Sequence, residues 1–205
     1  PFTFTAPGLQ YFMDSPTELS NYTLREWTVT AGGKTWPIRL ALHHTGTEVE
    51  ADSFAGLAKR VVEAHMAVYG EFPQFEPGQY TFLLDYVDWG ASDGMEHRNS
   101  TSISVPGLSL QTPQGRQQAL SAISHEFFHT WNVKRIRPEG LGPFDYRREN
   151  HTRQLWTMEG VTSYYEKRFL VAAGLCSKER FLERMAEEIA GLQAQPGRAL
   201  CSLEQ

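Results

Sequence analysis

Only two cysteines, Cys176 and Cys201, occur in 205 residues. That is too few for a disulfide framework, and neither has metal-motif spacing, so they do not fix a compartment. A long apolar run is missing too. No stretch of about 18 apolar residues is available to span a bilayer, and the opening residues show neither a basic segment nor an apolar leader. Positive charge is not in excess: the net charge of −5 gives no reason to expect nucleic acid. Internal repeats and low-complexity tracts are absent. What is present is 40% apolar and 12% aromatic residues, enough for one sizeable core and against disorder.

The patterning is mixed α/β. Residues 1–20, rich in Pro, Thr and Ser, read as a connector, and residues 21–205 as one domain. Thr35–Leu42 reads as a strand, with Pro37 suggesting an edge or a strand start. Glu48–Tyr69 reads as a helix with Phe54, Leu57, Val61 and Val68 on one face and Gly70 at its end. Tyr80–Val87 is a strongly apolar strand, and after a turn at Gly90–Gly94 a second strand runs from Met95 to Val105. Helices follow at about Gln114–Asn132, around Glu159, and from Ser177 to about Leu192, with a Pro- and Gly-bearing loop between the first two.

The richest segment is Ser124-His125-Glu126-Phe127-Phe128-His129-Thr130-Trp131. Two histidines four apart lie about 40° apart around a helix, so one metal ion can bridge both imidazoles. Zinc lowers the pKa of water, and Glu126 stands where it can take the proton during attack on a carbonyl. Leu120, Ile123, Phe127 and Trp131 form an apolar stripe, and the histidines lie off it. Core histidines would sit on the stripe. A catalytic zinc needs a third protein ligand that leaves one position open, and Glu159 is the best placed. Glu159 and Glu166 are seven apart and share a face. Glu166 and Ser163 are candidates to hold a ligating histidine by its other ring nitrogen.

The strings HEFFHTWNVKRIRP, LGPFDYRREN and LWTMEGVTSYYE resemble the glycyl aminopeptidase family of gluzincin metallopeptidases. Asp93-Gly94-Met95-Glu96-His97-Arg98-Asn99-Ser100-Thr101 is similar to the same family's Gly-Gly-Leu-Glu-His-x-Asn-Ser-Thr segment. It is also similar to the Gly-x-Met-Glu-Asn strand of the aminopeptidase N family. The resemblance implies an α+β, thermolysin-like catalytic domain with one zinc per chain, held by His125, His129 and Glu159. Glu126 would be the catalytic base. Glu96 would hold the α-ammonium of a peptide, with Gly94 and Met95 offering backbone to it. The resemblance also implies that the chain is part of a longer protein, with a β-rich domain before it, further helices after it, and often a PDZ domain.

Two sequence features bear on specificity. Ala91-Ser92-Asp93-Gly94 stands where the family has Tyr-Gly-Gly, which leaves the side-chain preference open. Tyr146, in the long loop, is a candidate oxyanion donor or simply an aromatic anchor of that loop. Lys134-Arg135-Ile136-Arg137 reads as a complement to the negative end of the helix before it. His65 reads as a satisfied core residue, and His43 and His44 point to opposite sides of a strand end. The expectation is a zinc aminopeptidase acting on peptides. A thermolysin-like endopeptidase and a catalytically silent peptide-binding module are the rivals. The compartment, cytoplasmic or periplasmic, and the oligomeric state stay open.

Overall fold

The structure is a computed structural model that describes residues 3–202; residues 1–2 and 203–205, at the outer ends of the two expected units, lie outside it. A five-stranded mixed sheet carries the site. Its strands are β1 (Thr23–Ala31), β2 (Lys34–His43), β3 (Tyr80–Val87), β4 (Asp93–Glu96) and β5 (Ser100–Pro106), in the order β1-β2-β3-β5-β4. β2, β3 and β5 run parallel, while β1 and β4 are antiparallel to their neighbours and form the two edges. The helices are α1 (Leu9–Met13), α2 (Glu48–Tyr69), α3 (Pro113–Phe128), α4 (Val161–Ala172) and α5 (Lys178–Ala194), with a π-helical turn at Trp156–Gly160 leading into α4.

Local chemistry sets the helix ends. Thr47 and Glu50 form a reciprocal capping box at the start of α2, and Gly70 closes it in the left-handed region at φ 74°. At α3 the Thr112 hydroxyl accepts from the Gly115 amide, and Pro113 takes the first helical position, where its missing N–H costs nothing. A Cβ on Gly115 would lie 2.1 Å from the Ser109 carbonyl oxygen, so only glycine lets α3 begin this close to the incoming loop.

The core lies between the sheet and α2 and α3. Phe127 is its hub, with ring centroids 5.0 Å from Tyr80, 5.6 Å from Phe82 and 5.7 Å from Trp131. Leu120 and Ile123 continue that face, so the apolar stripe of the sequence is the face that packs on the sheet. Each fully buried side chain of this size contributes roughly 1.5–3 kcal/mol. This packing fixes the rotation of α3, and therefore the direction in which His125 and His129 project.

Several expectations are corrected. The strand expected from Met95 to Val105 is a hairpin: β4 stops at Glu96, His97–Asn99 turn the chain, and β5 returns antiparallel. Glu96 and Ser100 therefore lie on opposite arms of the hairpin. Sequence patterning places no element on Thr23–Ala31, which forms β1; only Val29 is buried there, so its apolar signal is weak. α3 ends at Phe128, short of Asn132, and the chain continues in tight turns through Lys134. Ahead of the sheet, α1 is followed by Asp14, whose carboxylate meets the buried His97.

Candidate metal centre

α3 presents His125 and His129 one turn apart, with ring centroids separated by 4.8 Å. Across from them the π-helical turn delivers Glu159. That turn is pinned by Met158, buried against Val133, Leu141 and Phe144, and by the Asn132 side-chain amide, which donates to Met158 O at 3.2 Å and to Thr162 Oγ1 at 3.2 Å. Single π turns of this kind recur at functional sites because they displace one side chain from the helical register.

Glu159 Oε2 lies 3.2 Å from His125 Nε2 and 3.7 Å from His129 Nε2, and one donor atom from each of the three residues falls within 4.8 Å of the others. A tetrahedral zinc with bonds near 2 Å needs donors about 3.3 Å apart. The opposite ring nitrogens are held by acceptors. His129 Nδ1 meets the Asn132 carbonyl at 2.7 Å, and His125 Nδ1 meets Glu166 Oε2 at 3.4 Å. A donating Nδ1 leaves the lone pair on Nε2, the tautomer a metal ligand requires. The donor set and its supports fit a catalytic zinc.

The electrostatics point the same way. Burial disfavours charge on His125, yet Glu159 and Glu166 outweigh it and hold the imidazole up at about 10. The two carboxylates favour positive charge here, carried either by a proton on the imidazole or by a metal ion that replaces the Nε2 proton. Burial pushes the Glu126 carboxyl up to about 8, resisted by His125 and reinforced by Glu96, Glu159 and Asp93. Glu126 is 6% exposed, and its Oε2 has no hydrogen-bond partner among the described residues. Buried polar atoms are rarely left so unless a ligand or water completes them. Its other oxygen packs on the backbone of Gly94: an added Cβ there would lie 2.3 Å from Glu126 Oε1. Gly94 is thus a seat for Glu126 as well as part of edge strand β4.

Glu96 stands beside this centre. One of its oxygens lies within 4.8 Å of donor atoms of Glu126 and His129. Met95 precedes it on the outer strand, half exposed. Among the described residues the Nδ1 partners of the two histidines are Glu166 and the Asn132 carbonyl, not Ser163. The supporting hydroxyl comes from Ser121, which donates to Glu166 Oε1. Ser121 lies four residues before His125 on the same face of α3, so helical spacing alone points to it. Tyr146 donates to Gln10 Oε1 at 3.1 Å and its ring lies 6.2 Å from that of Phe144, as an anchor of the loop does. His65 is a buried core residue facing the Val61 and Ser124 carbonyls, as its helix face indicates.

This fold, with an edge strand beside two histidines on a helix, is similar to that of aminopeptidase catalytic domains. Residues 118–205 match the family model described as M61 glycyl aminopeptidase. Among solved structures the chain is similar to an aminopeptidase N family protein from Idiomarina loihiensis, with 28% identity and a TM-score of 0.61 over 78% of this chain and 27% of that one. It also shares the fold of Legionella pneumophila aminopeptidase A, solved in complex with aspartic acid, at 20% identity and a TM-score of 0.51 over 73% of this chain and 16% of that one. The chain therefore spans about a quarter or less of the length of these two structures. No curated protein gives a significant match. The resemblance read from the motifs to the glycyl aminopeptidases is borne out, and the proteins matched are aminopeptidases.

Proposed function

We propose that this chain carries the catalytic centre of a zinc aminopeptidase. The observation that supports it most is the convergence of His125 Nε2 and His129 Nε2 on one Glu159 oxygen beside a buried, unpartnered Glu126. His125, His129 and Glu159 would hold one zinc, which when bound supplies Lewis acidity for a peptide carbonyl and makes water a competent nucleophile at neutral pH. Glu126 accepts a proton from the attacking water and returns it to the departing amine, so the C–N bond breaks with no net proton change on the protein. A carboxyl pushed up by burial suits both halves of that exchange. Glu166, held by Ser121, orients His125, and the Asn132 carbonyl orients His129.

Glu96 gives the exopeptidase character. An extended peptide lying along edge strand β4 meets the Gly94 and Met95 backbone, and Glu96 closes that end of the cleft against its α-ammonium. A charge-assisted contact of this kind contributes roughly 1.5–3 kcal/mol, one to two powers of ten in kcat/KM. Free and N-acetylated peptides should therefore differ strongly as substrates, and Glu96→Gln should remove most of that difference without changing metal content. Equal cleavage of free and blocked peptides by the unmodified protein would replace this reading with the endopeptidase one.

A further inference from the structure

Asp14 is a carboxylate with three donors. It accepts from His97 Nδ1 at 3.0 Å, from the Arg98 amide at 3.2 Å and from Lys134 Nζ at 3.2 Å. One side chain from the end of α1 thereby joins the turn that follows Glu96 to the segment that leaves α3. Lys134 is fixed at both ends, because its amide also donates to the His129 carbonyl at 2.9 Å. Its side chain is only 11% exposed, and Nζ lies 3.9 Å from Glu96 Oε1. An ammonium so shielded from water is costly unless it is paired. Asp14 supplies the pairing, so Lys134 is a fixed positive charge at the rim of the amine seat.

The distances apportion that charge. At 3.2 Å Lys134 is hydrogen-bonded to Asp14; at 3.9 Å it is beyond hydrogen-bonding reach of Glu96. Glu96 therefore keeps its oxygens for another donor. Asp14, Lys134 and Glu96 together carry one net negative charge, which a single ammonium neutralises. The same Lys134 opens onto a cavity of about 390 Å³, bounded by Asp14, Arg98, Asn99, Lys134, Arg137 and Phe144. Arg98 is neutralised there by Glu76 at 2.5 Å and Lys134 by Asp14. Arg137 meets a carbonyl, that of Leu141, and no carboxylate among the described residues. The cavity beside the amine seat is thus positive on balance.

We propose that Lys134, held by Asp14, sets the charge preference for the first residue of the peptide: acidic and neutral side chains are accepted and basic ones disfavoured. This rests on Glu96 as the amine seat and adds a specificity-determining residue to it. The α-ammonium is the one positive charge the seat neutralises. A second, on a lysine or arginine side chain entering this cavity, meets Lys134 and Arg137, and Asp14, the one carboxylate among the lining residues, is already paired. At several ångströms and an effective dielectric between surface and water, one charge changes such a preference about five- to tenfold.

Two substitutions of opposite sign test this. kcat/KM is measured for peptides that differ only in the first residue, Glu, Gly or Lys, beside their N-acetylated forms. Lys134→Met keeps the stem and removes the charge, and should raise the Lys-to-Glu ratio about five- to tenfold. Asp14→Asn leaves Lys134 uncompensated and should lower that ratio. Lys134→Arg should keep the original order. Thermal unfolding of each variant checks that it is folded, and a merely structural role for the pair would move both ratios in the same direction or neither. If free and blocked peptides are cleaved alike by the unmodified protein, the amine-seat reading itself fails. If they differ but the ratio is unchanged in Lys134→Met, or moves the same way in both variants, the assignment to Lys134 is wrong.

Discussion

His65, reaching α3 from α2, and His125, carried by α3, are both largely shut away from water, and their surroundings drive them to opposite states. His65 is stacked on Phe169 at 3.8 Å, with Phe127 edge-on at 5.3 Å. Its burial pushes it down to about 4, although the Val61 and Ser124 carbonyls face its nitrogens. His125 is opposed by burial as well, but two carboxylates lift it to about 10. Charge on an imidazole here is decided by whether carboxylates share its burial. The core side of α3 keeps charge out with rings. The cleft side gathers Glu96, Glu126, Glu159 and Glu166, a surplus of negative charge that a divalent cation would offset.

The largest effect is expected on the cleft side. Glu126→Gln keeps size and shape and cannot accept a proton, so turnover should fall roughly 10²- to 10⁴-fold while zinc is retained. Unchanged turnover would mean that another group activates the water. On the core side, Phe127→Ala should cost about 3–5 kcal/mol of stability in chemical denaturation, because it empties the hub between Tyr80, Phe82 and Trp131. A loss under 1 kcal/mol would show that the sheet does not depend on this face.

The smallest effect is a pH dependence, and its sign follows from the depressed value of His65. The unfolded chain takes up a proton near pH 6.5, whereas the folded chain does not until about pH 4. The contribution of neutral His65 is complete above 6.5 and is lost as pH falls toward 4, by up to about 3 kcal/mol. His65→Phe should remove that part of the dependence. Unfolding measured at pH 7.5 and 4.5, wild type beside variant, reads it as a difference in which other titrating groups cancel. Parallel pH curves would place His65 outside the acid response.

Much of this was legible because periodic signals are local. α2 and β3 fall on the boundaries read from spacing, since strong apolar patterns and the Gly70 stop lie within each segment. His125, His129 and Glu159 were readable from helical spacing and residue type, and the structure brings them together. The hairpin turn at His97–Asn99 was hidden because the alternation continues across it. Asp14 was invisible for a different reason: it meets His97 from 83 residues away, and no local pattern marks a carboxylate for that distance. Lys134 looked like a complement to the end of α3. Arg135 does serve that end, donating to the Thr130 carbonyl at 3.1 Å, while Lys134 turns to the cleft.

Metal analysis of the purified protein and of His125→Ala shows whether the site holds zinc, since a catalytic zinc site depends on each of its few protein ligands. Close to one zinc per chain is expected in the unmodified protein and none in the variant, with the Phe127 core still folded by near-ultraviolet circular dichroism. No zinc in the unmodified protein, or the same zinc content in the folded variant, would contradict the zinc assignment.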